Sequence, residues 1–458
     1  MPCRLCYSRP VVVPRIHFTF KPGRAGRSLL LALGVVLGGV LFLLVGPAQA
    51  AETTRVVSAG DEDNPYDFNL SLSFFHESRK GALKRETTSA AGTVARVADQ
   101  VFAESRDTMN IRMDVGLLPD IGLFVNLPIV ISDTRALSFD RSGGGCPSSN
   151  CADASNSSLL RDGILPGFGQ ATYGLDAIHS RSFASPSDQT FASPKRQGLG
   201  YLGFGLNWAM FNQKRVASEP TWLLGFEARV DVSKTMRFDP KSPKGNTGVG
   251  LGYHQFLVNT MAARRFGPLE PYVGGWYMFP IKTAESPFAA QGLGGNTFSN
   301  PQHRAFVTAG MEATVWEKPD SNQRISLELR LTMETRFLGL ARSELWEPLS
   351  GSSGCAETPA LGCRPGLDDR DLNADGKADP NSGITRSPTY GIFGSDLGLN
   401  VRAGEHVRFR GLFGVKAEQN RFMTDGRSGY SSFDSPGRRY YVQDAFGYQF
   451  LLDGALLF

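Results

Sequence analysis

The stretch RISLELRLTMETRF, residues 324–337, alternates apolar and polar side chains along almost its whole length. The two sets are Ile325, Leu327, Leu329, Leu331, Met333 and Phe337 on one side, and Ser326, Glu328, Arg330, Thr332, Glu334 and Arg336 on the other. On an α-helix these charges would be spread around the cylinder, whereas on a β-strand they form one charged face opposite one apolar face. The stretch therefore predicts a long β-strand that separates two different environments.

The same two-residue period recurs in other parts of the chain, most clearly in 110–117, 201–210, 221–232 and 406–418. Counting all such runs predicts about twelve strands, within a range of about ten to fourteen. An even number of strands returns both ends of a sheet to the same side of a membrane. The predicted strands lie near 66–77, 107–118, 122–136, 199–213, 221–236, 249–265, 271–283, 303–316, 324–346, 389–402, 406–420 and 446–458.

The connections between these runs are alternately short and long. Long polar loops are expected near 78–106, 137–198, 284–302, 347–388 and 422–445. Short turns at one end and long loops at the other are typical of a transmembrane β-barrel. A soluble β-sandwich, the alternative, also alternates polar and apolar positions but does not sort its loops by length. The predicted fold class is thus all-β, a single antiparallel transmembrane barrel over residues 66–458.

The N-terminus predicts export. Basic residues precede the apolar run SLLLALGVVLGGVLFLLVG, and Ala48-Gln49-Ala50 follows it as a small-residue cleavage site. This order is that of a signal peptide, here residues 1–50, removed after Ala50. Residues 51–65 would then form a periplasmic N-terminal segment. The alternative is a retained membrane anchor, because the apolar run is nearly long enough to span a bilayer.

Composition narrows the class of protein further. The 458 residues carry a net charge of +4, and 41% are hydrophobic; the mean hydropathy is -0.19. These values exclude a helical membrane protein, and so weak a positive charge gives no indication of a nucleic-acid partner. The 52 glycines and the 10% aromatic content favour a β-sheet protein with many tight backbone approaches.

The C-terminal stretch GYQFLLDGALLF, with its terminal Phe458, carries the most specific signal. Apolar residues alternate along it and start at Phe446, just before it: they are Phe446, Tyr448, Phe450, Leu452, Leu456 and Phe458, interrupted by Gly454. In this the chain resembles Gram-negative outer-membrane β-barrel proteins of the porin or transporter type, over nearly all of 66–458. The resemblance implies an outer-membrane location, contact with lipid and lipopolysaccharide, and recognition of the last strand by the assembly machinery. Gly454 departs from the family pattern, which has a large residue there.

The polar faces of the predicted strands would line the lumen. The candidate pore-lining residues are Arg112, Asp114, Glu227, Arg229, Asp231, Glu328, Arg330, Glu334, Arg336, Arg408, Arg410, Lys416 and Glu418. Charges of both signs either line a water-filled pore or pair across a narrow lumen and plug it, since dry unpaired charges cost too much. The first case predicts passive passage of a small solute; the second predicts a structural or surface-interaction barrel. An apolar patch within 137–198 either folds inward as a constriction, forms a cover over the mouth of the barrel, or packs on its own loop.

Closely spaced cysteines in two of the long loops suggest reinforcement. In an exported chain, the pairs Cys146 with Cys151 and Cys355 with Cys363 predict two small disulfide-closed loops. Zinc is the weaker alternative, because neither spacing is Cys-x-x-Cys and no histidine lies nearby.

A second feature of the loops is the stretch DLNADGKAD, which resembles an abbreviated calcium loop. Its candidate ligands are Asp371, Asn373, Asp375, Asp379 and the carbonyl of Lys377. The alternative is a solvated acidic loop.

Enzyme motifs are absent from the sequence: it contains neither HExxH nor GxSxG, and its histidines are scattered. A lipid-modifying outer-membrane hydrolase, with a serine and a histidine on the outer wall, is retained as a second alternative function. The main expectation is a protein that is not an enzyme and takes no cofactor other than a structural Ca²⁺.

Substitution Asp375→Ala tests the calcium prediction. Removing one carboxylate ligand from an oxygen-only site should abolish Ca²⁺-dependent protection of residues 347–388 against proteolysis. The measurement is the rate of limited proteolysis of the folded protein with Ca²⁺ and with a chelator. Equal rates for the unmodified chain under both conditions would contradict a calcium site in this loop.

Overall fold

The computed structural model of the chain describes residues 54, 67–88, 91–140, 189–237, 246–284, 286–288, 300–350, 383–423 and 439–458. All of them belong to one compact unit, Gly46–Phe458.

Several of the predicted features lie outside these described residues. The described ranges contain none of the six cysteines, so the predicted disulfides are not shown by the structure: Cys146, Cys151, Cys355 and Cys363 all fall outside. The signal peptide, residues 1–50, and the calcium loop, residues 371–379, fall outside as well. The pairing of Cys146 with Cys151 and of Cys355 with Cys363, the export signal and the calcium site therefore remain predictions.

Seventeen β-strands make up nearly all of the described structure. They are β1 (Phe68–Thr88), β2 (Val94–Leu118), β3 (Ile121–Phe139), β4 (Gln189–Ala192), β5 (Arg196–Leu199), β6 (Leu202–Phe211), β7 (Thr221–Val230), β8 (Tyr253–Ala263), β9 (Leu269–Lys282), β10 (Arg304–Lys318), β11 (Gln323–Arg336), β12 (Gly339–Arg342), β13 (Ile384–Ser387), β14 (Tyr390–Ala403), β15 (Val407–Glu418), β16 (Arg421–Phe422) and β17 (Tyr440–Leu457). A 3-10 turn (Pro319–Ser321) and a short helix, α1 (Trp346–Ser350), accompany them. Among the described residues no helix is long and apolar enough to cross a membrane.

Twelve of the strands form one closed antiparallel sheet in the order β1-β2-β3-β6-β7-β8-β9-β10-β11-β14-β15-β17. The sheet closes because β1 also pairs with β17, with Phe74 opposite Leu452 and His76 opposite Phe450. This confirms the predicted fold class and strand number. The short β4 and β5 extend the sheet beside β3, and β16 pairs with β17. The hairpin β12–β13 forms a separate two-stranded sheet.

The C-terminal residue takes part in the closure. The N–H of Phe68 donates to the carbonyl of Phe458 over 3.1 Å, and the N–H of Phe458 donates back to the carbonyl of Phe68 over 2.8 Å. Their rings lie 5.9 Å apart. The chain therefore ends inside the sheet, because a barrel without the last strand would leave a row of backbone groups unpaired.

The outer face of the barrel is apolar. Large hydrophobic side chains are exposed on every barrel strand, among them Leu72 on β1, Phe226 on β7, Leu331 on β11, Leu397 on β14 and Phe413 on β15. They occupy the alternate positions opposite the charged ones, as the period of two requires. An exposed apolar belt around a closed sheet is the surface that a lipid bilayer covers.

The packing of Phe409 on β15 explains how the apolar stripe of β17 can be interrupted at Gly454. It lies opposite Phe409 on β15, and a Cβ atom added to Gly454 would be 3.7 Å from the Phe409 ring. The aromatic ring thus occupies the outer surface above the glycine, so the apolar belt continues across the position that lacks a side chain.

The structure corrects several predicted boundaries. Residues 78–106 were expected as a loop, yet β1 continues to Thr88 and β2 begins at Val94. On the outer face of β1, Leu72 and Phe74 are followed by His76, Ser78 and Lys80, so the apolar stripe that marks a membrane strand ends before the strand does. The predicted strand 221–236 ends at Val230. The predicted strand 324–346 ends at Arg336, and the chain then turns away from the wall into β12 and α1.

Substitution Leu397→Arg tests the assignment of the outer face. Leu397 lies in the middle of β14 and is 61% exposed. A guanidinium at mid-depth in the apolar belt should lower the free energy of unfolding by about 2–4 kcal/mol. Urea-induced unfolding in phospholipid vesicles measures the difference.

The matched control is Val216→Arg, in the short turn between β6 and β7, where Val216 is 45% exposed. Outside the apolar belt the same substitution should cost less than about 1 kcal/mol. Equal costs at the two positions would contradict the assignment of β14 to a lipid-facing wall.

Candidate functional site: the barrel lumen

Charged side chains line the inside of the barrel and pair across it. Lys416 on β15 lies 3.0 Å from Glu77 on β1, although β17 separates the two strands. Arg410 on β15 lies 2.7 Å from Glu328 on β11, with β14 between them. Pairs that pass over an intervening strand require both side chains to be on the same face of the sheet. The polar face predicted from the sequence is therefore the inner face at these positions.

Toward the short-turn end, buried acids are each held by an arginine. Glu328 accepts hydrogen bonds from Arg410 and from the hydroxyl of Tyr272. Arg330 Nε donates to Asp396 Oδ2 over 2.8 Å. The counter-ions satisfy the carboxylates, which would otherwise be costly at such burial.

Lumen-facing glycines make room for two of these carboxylates. A Cβ atom on Gly414 would collide with the Asp396 carboxylate, and one on Gly398 would lie 3.1 Å from a Glu328 oxygen. Sequence reasoning overlooked these glycines. The signal that could have identified them is a glycine on the polar face of a strand otherwise rich in charge.

Three of the predicted pairs lie two residues apart on one strand. Arg112 bonds Asp114 at 2.7 Å, Arg229 bonds Glu227 at 2.8 Å and Arg336 bonds Glu334 at 2.9 Å. Residues at i and i+2 share a face of a strand, so the sequence alone places these partners together. Arg408 pairs with Asp453 on β17 at 3.0 Å. Asp231 differs from the prediction, because it lies beyond β7, where its carboxylate accepts the N–H of Gly252.

A segment that the sequence reasoning assigned partly to a strand lies across the long-loop end of the lumen. We call residues 337–350 the crossing segment; it contains β12 and α1. Three of its apolar side chains, Leu340, Leu345 and Trp346, are buried, each at most 2% exposed. Residues 141–188, which hold the apolar patch for which a constriction, a cover and a self-packed loop were alternatives, lie outside the described residues. In the described part of the chain, the crossing segment is the element that narrows the lumen.

One anchor of the crossing segment is Glu344. Its carboxylate accepts hydrogen bonds of 2.5 Å from Arg79 on β1 and from Arg421 on β16. Both arginines also bind Glu418 at the end of β15. Burial raises the pKa of Glu344, but the guanidiniums of Arg421 and Arg79 outweigh burial and hold the pKa below the usual 4.5. Glu344 is therefore an anion at neutral pH and ties the segment to the wall.

The second anchor joins Glu347 to Arg196 on β5. The two side chains are 1% and 0% exposed, and Arg196 Nε lies 3.2 Å from Glu347 Oε1. Arg196 also donates to the carbonyls of Asn246 and Gly248. These contacts of the guanidinium are buried, and they tie the crossing segment to residues 246–248.

A cavity of about 640 Å³ lies beside the crossing segment within the barrel. It is bounded by residues of β1–β3, β7–β11, β14, β15 and β17 and by Leu340, Arg342 and Trp346 of the crossing segment. Predicted lumen residues that line it are Arg229, Glu334, Arg336, Lys416 and Glu418. Arg112, Asp114, Glu227, Glu328, Arg330, Arg408 and Arg410 do not line it.

The other predicted chemistry finds no site in the described residues. Among them, no group of three or more His, Cys, Asp or Glu side chains is placed to hold a metal ion. On the outer wall, His76 Nδ1 lies 2.6 Å from Asp107 Oδ1. No serine hydroxyl of the described residues bonds this imidazole. The hydrolase alternative is therefore left with a His–Asp pair and no placed nucleophile.

A closed twelve-stranded sheet with an apolar outer belt and a charged interior is the architecture of a transmembrane β-barrel. The chain has the fold of an outer-membrane β-barrel. No family model matches the sequence, and no curated protein sequence matches it significantly.

Solved structures of outer-membrane proteins show low similarity to the chain. An outer-membrane channel from Pseudomonas putida F1 has a TM-score of 0.39 and 9% identity, over 90% of this chain and 100% of that chain. A Pseudomonas aeruginosa FadL homologue has a TM-score of 0.31 and 9% identity, over 85% and 90%. The outer membrane protease OmpT from Escherichia coli has a TM-score of 0.24 and 8% identity, over 86% and 97%. At these identities the likeness concerns the barrel and not a substrate or a reaction.

Substitution Arg196→Met tests the second anchor. It leaves Glu347 buried without its cation, which should destabilise the crossing segment by about 3–5 kcal/mol. Hydrogen exchange of the backbone amides of residues 343–347 should accelerate accordingly.

Arg215→Met is the control, since Arg215 pairs with Asp120 in an exposed turn and is itself 41% exposed. Loss of such a surface pair should cost at most about 1 kcal/mol and leave exchange in 343–347 unchanged. Unchanged exchange in Arg196→Met would refute the anchoring role of Arg196.

Proposed function

We propose that the barrel is a channel for the passive passage of a small solute across the outer membrane. The observation that carries the proposal is the cavity of about 640 Å³ inside the barrel, which is lined by charged side chains of both signs. A space of this size accommodates a small molecule. A lumen filled entirely by paired charges, as in a purely structural barrel, would leave no such space.

The crossing segment is the gate in this proposal. Among the described residues it forms few backbone hydrogen bonds to the rest of the protein. One joins the Leu340 N–H to the Asn300 carbonyl at 2.9 Å, just before β10, and others pair β12 with β13. Its other described ties are side-chain contacts, chiefly those of Glu344 and Glu347. An element held in this way can move while the wall keeps its complete ladder.

The alternative function is a structural or surface-interaction barrel with a closed lumen. There the crossing segment is a permanent plug, and the loops outside the described residues carry the function through surface contacts. Deleting residues 351–382 separates the two proposals. Loss of a surface interaction with unchanged permeability would favour the structural barrel.

Conductance across planar lipid bilayers tests the channel directly. The purified, refolded chain should produce discrete single-channel currents, and Glu344→Gln should increase the fraction of time spent open. The amide fills the same volume but removes the charge that Arg79 and Arg421 hold. Heat-modifiable gel mobility verifies that the variant retains a closed barrel. Absence of current and of solute flux in both proteins would refute the channel.

Lowering the pH should also weaken the Glu344 anchor and increase the open fraction of the channel. The pKa of Glu344 is lowered in the folded state, so its anchoring is fully present above the usual value of 4.5 and is lost as the pH falls through the lowered value. The open fraction should therefore rise only when the pH falls below about 4.5. The charged groups facing Glu344 are Arg79, Arg421 and Glu418, of which Glu418 is the second acid.

Glu344→Gln distinguishes the contribution of Glu344 from that of Glu418. In this variant the acid-induced increase should be smaller than in the unmodified chain, since the carboxyl group of Glu344 is absent. An increase of the same size in both proteins would contradict the role of Glu344 as the acid-sensitive anchor.

A further inference from the structure

We propose that the cavity beside the crossing segment binds a small organic carboxylate with an aromatic or other apolar body. This names the solute class of the proposed channel and rests on that function for its transport meaning. The binding site itself is argued from the charges, the unpartnered polar atoms and the rings around the cavity.

Positive charge prevails around the cavity. Among the described lining residues, nine are cationic and six are acidic. The cations are Arg79, Arg106, Arg135, Arg229, Arg304, Arg336, Arg342, Lys416 and Arg421, and the acids are Glu77, Glu104, Asp133, Glu334, Glu344 and Glu418. Low-dielectric walls strengthen the field of such an excess, so a small anion is attracted and a small cation repelled.

The excess is concentrated at Arg342 in the crossing segment. Its guanidinium donates to the carbonyls of Leu251 and Met236 at 3.0 and 2.9 Å, and no described carboxylate forms an ion pair with it. Arg135, Arg196 and Arg342 all lie over the Trp346 ring, 5.7, 5.3 and 5.5 Å from its centroid.

Crowding of like charges is reflected in the ionisation of Arg342. Burial, reinforced by the nearby Arg135 and Arg196, lowers the pKa of Arg342 to about 10. The group is still a cation at neutral pH. The attraction of Asp231 offsets this lowering only in part. A carboxylate ligand beside Arg342 would supply a counter-ion at ion-pair distance, which no described carboxylate does.

Hydrogen-bonding capacity points the same way. Cavity-lining residues have buried polar atoms without a hydrogen-bond partner among the described residues, and most are donors: Gln302 Nε2, Arg304 Nε, Trp346 Nε1 and the Ser343 hydroxyl. The one pure acceptor among them is Asp133 Oδ2. A surplus of donors suits a ligand that only accepts hydrogen bonds, which an ionised carboxylate does.

Aromatic side chains offer surfaces for the body of the ligand. Phe75, Tyr253, Trp276 and Tyr390 line the cavity together with Trp346. Trp276 stacks on Phe306, with ring centroids 5.4 Å apart and planes 9° apart, which fixes the orientation of the indole. Rigid rings next to cationic donors favour an anion with an apolar body over a small inorganic anion.

Equilibrium binding of benzoate to the detergent-folded full chain is the test, measured by isothermal titration calorimetry. Benzyl alcohol and benzylamine are the neutral and cationic comparison ligands. Benzoate should bind more tightly than either. Arg342→Gln should weaken benzoate binding about tenfold, the loss of one charge-assisted hydrogen bond. Arg342→Lys should retain most of the affinity, because it keeps the charge.

The control variant is Arg215→Gln, which removes a cation from an exposed turn outside the lumen and should not change benzoate affinity. If Arg342→Gln fails to form a heat-modifiable barrel, Arg304→Gln removes another lining cation with an unpartnered donor. Equal binding of the three ligands, or unchanged benzoate affinity in the Arg342 and Arg304 variants, overturns the carboxylate site.

Conductance separates this inference from the proposed function. A reversal potential across a KCl gradient that favours chloride, and shifts toward zero in Arg342→Gln, supports both. A current without preference for anions, together with equal binding of the three ligands, overturns the carboxylate site and leaves the channel intact. Benzoate binding without any current overturns the channel and leaves the carboxylate site intact.

Discussion

The pairing of β1 with β17 is the interaction on which the rest of the structure depends. Inside a bilayer no water is available for backbone N–H and C=O groups, and each unpaired group costs several kcal/mol. The antiparallel ladder from Asn69–Leu457 to Arg85–Tyr440 removes that cost for the two strands that would otherwise be edges. Once the sheet is closed, it has an inside and an outside, and every side chain on the wall belongs to one or the other.

Closure has opposite consequences for the two faces. The outer face only has to be apolar, and an apolar side chain tolerates many neighbours. The inner face has to satisfy its charges, and it does so with partners that are specific in geometry, such as Glu328 with Arg410 and Tyr272. The lumen-facing glycines belong to the same arrangement, since Gly398 and Gly414 leave the space that the carboxylates of Glu328 and Asp396 occupy. The interior is therefore the more constrained face.

The crossing segment divides the lumen into two chemically different regions. Toward the short turns, acids and arginines pair closely around Glu328 and Asp396. Beside the crossing segment the pairing is less complete, and Arg342 has only backbone carbonyls as hydrogen-bond acceptors among the described residues. A closely paired region stabilises the wall, whereas an incompletely paired one keeps the capacity to bind. The proposed gate and the proposed anion site meet at residues 342–347 for this reason.

The sequence by itself determined the barrel, its strand number and the face of nearly every strand, because a period of two and the partners at i and i+2 are local properties of an extended chain. The pairing of Arg336 with Glu334 can be predicted from their spacing in the sequence.

The sequence alone could not predict the pairing of Lys416 with Glu77, which lie 339 positions apart. Partners across a lumen depend on how the register shifts accumulate around the closed sheet. Nor could the sequence place residues 337–350, whose pattern continues that of β11, or show why Gly454 interrupts the last stripe. These were decided by tertiary structure: the anchors of Glu344 and Glu347 draw one segment across the lumen, and the Phe409 ring covers Gly454 only once β15 and β17 are side by side.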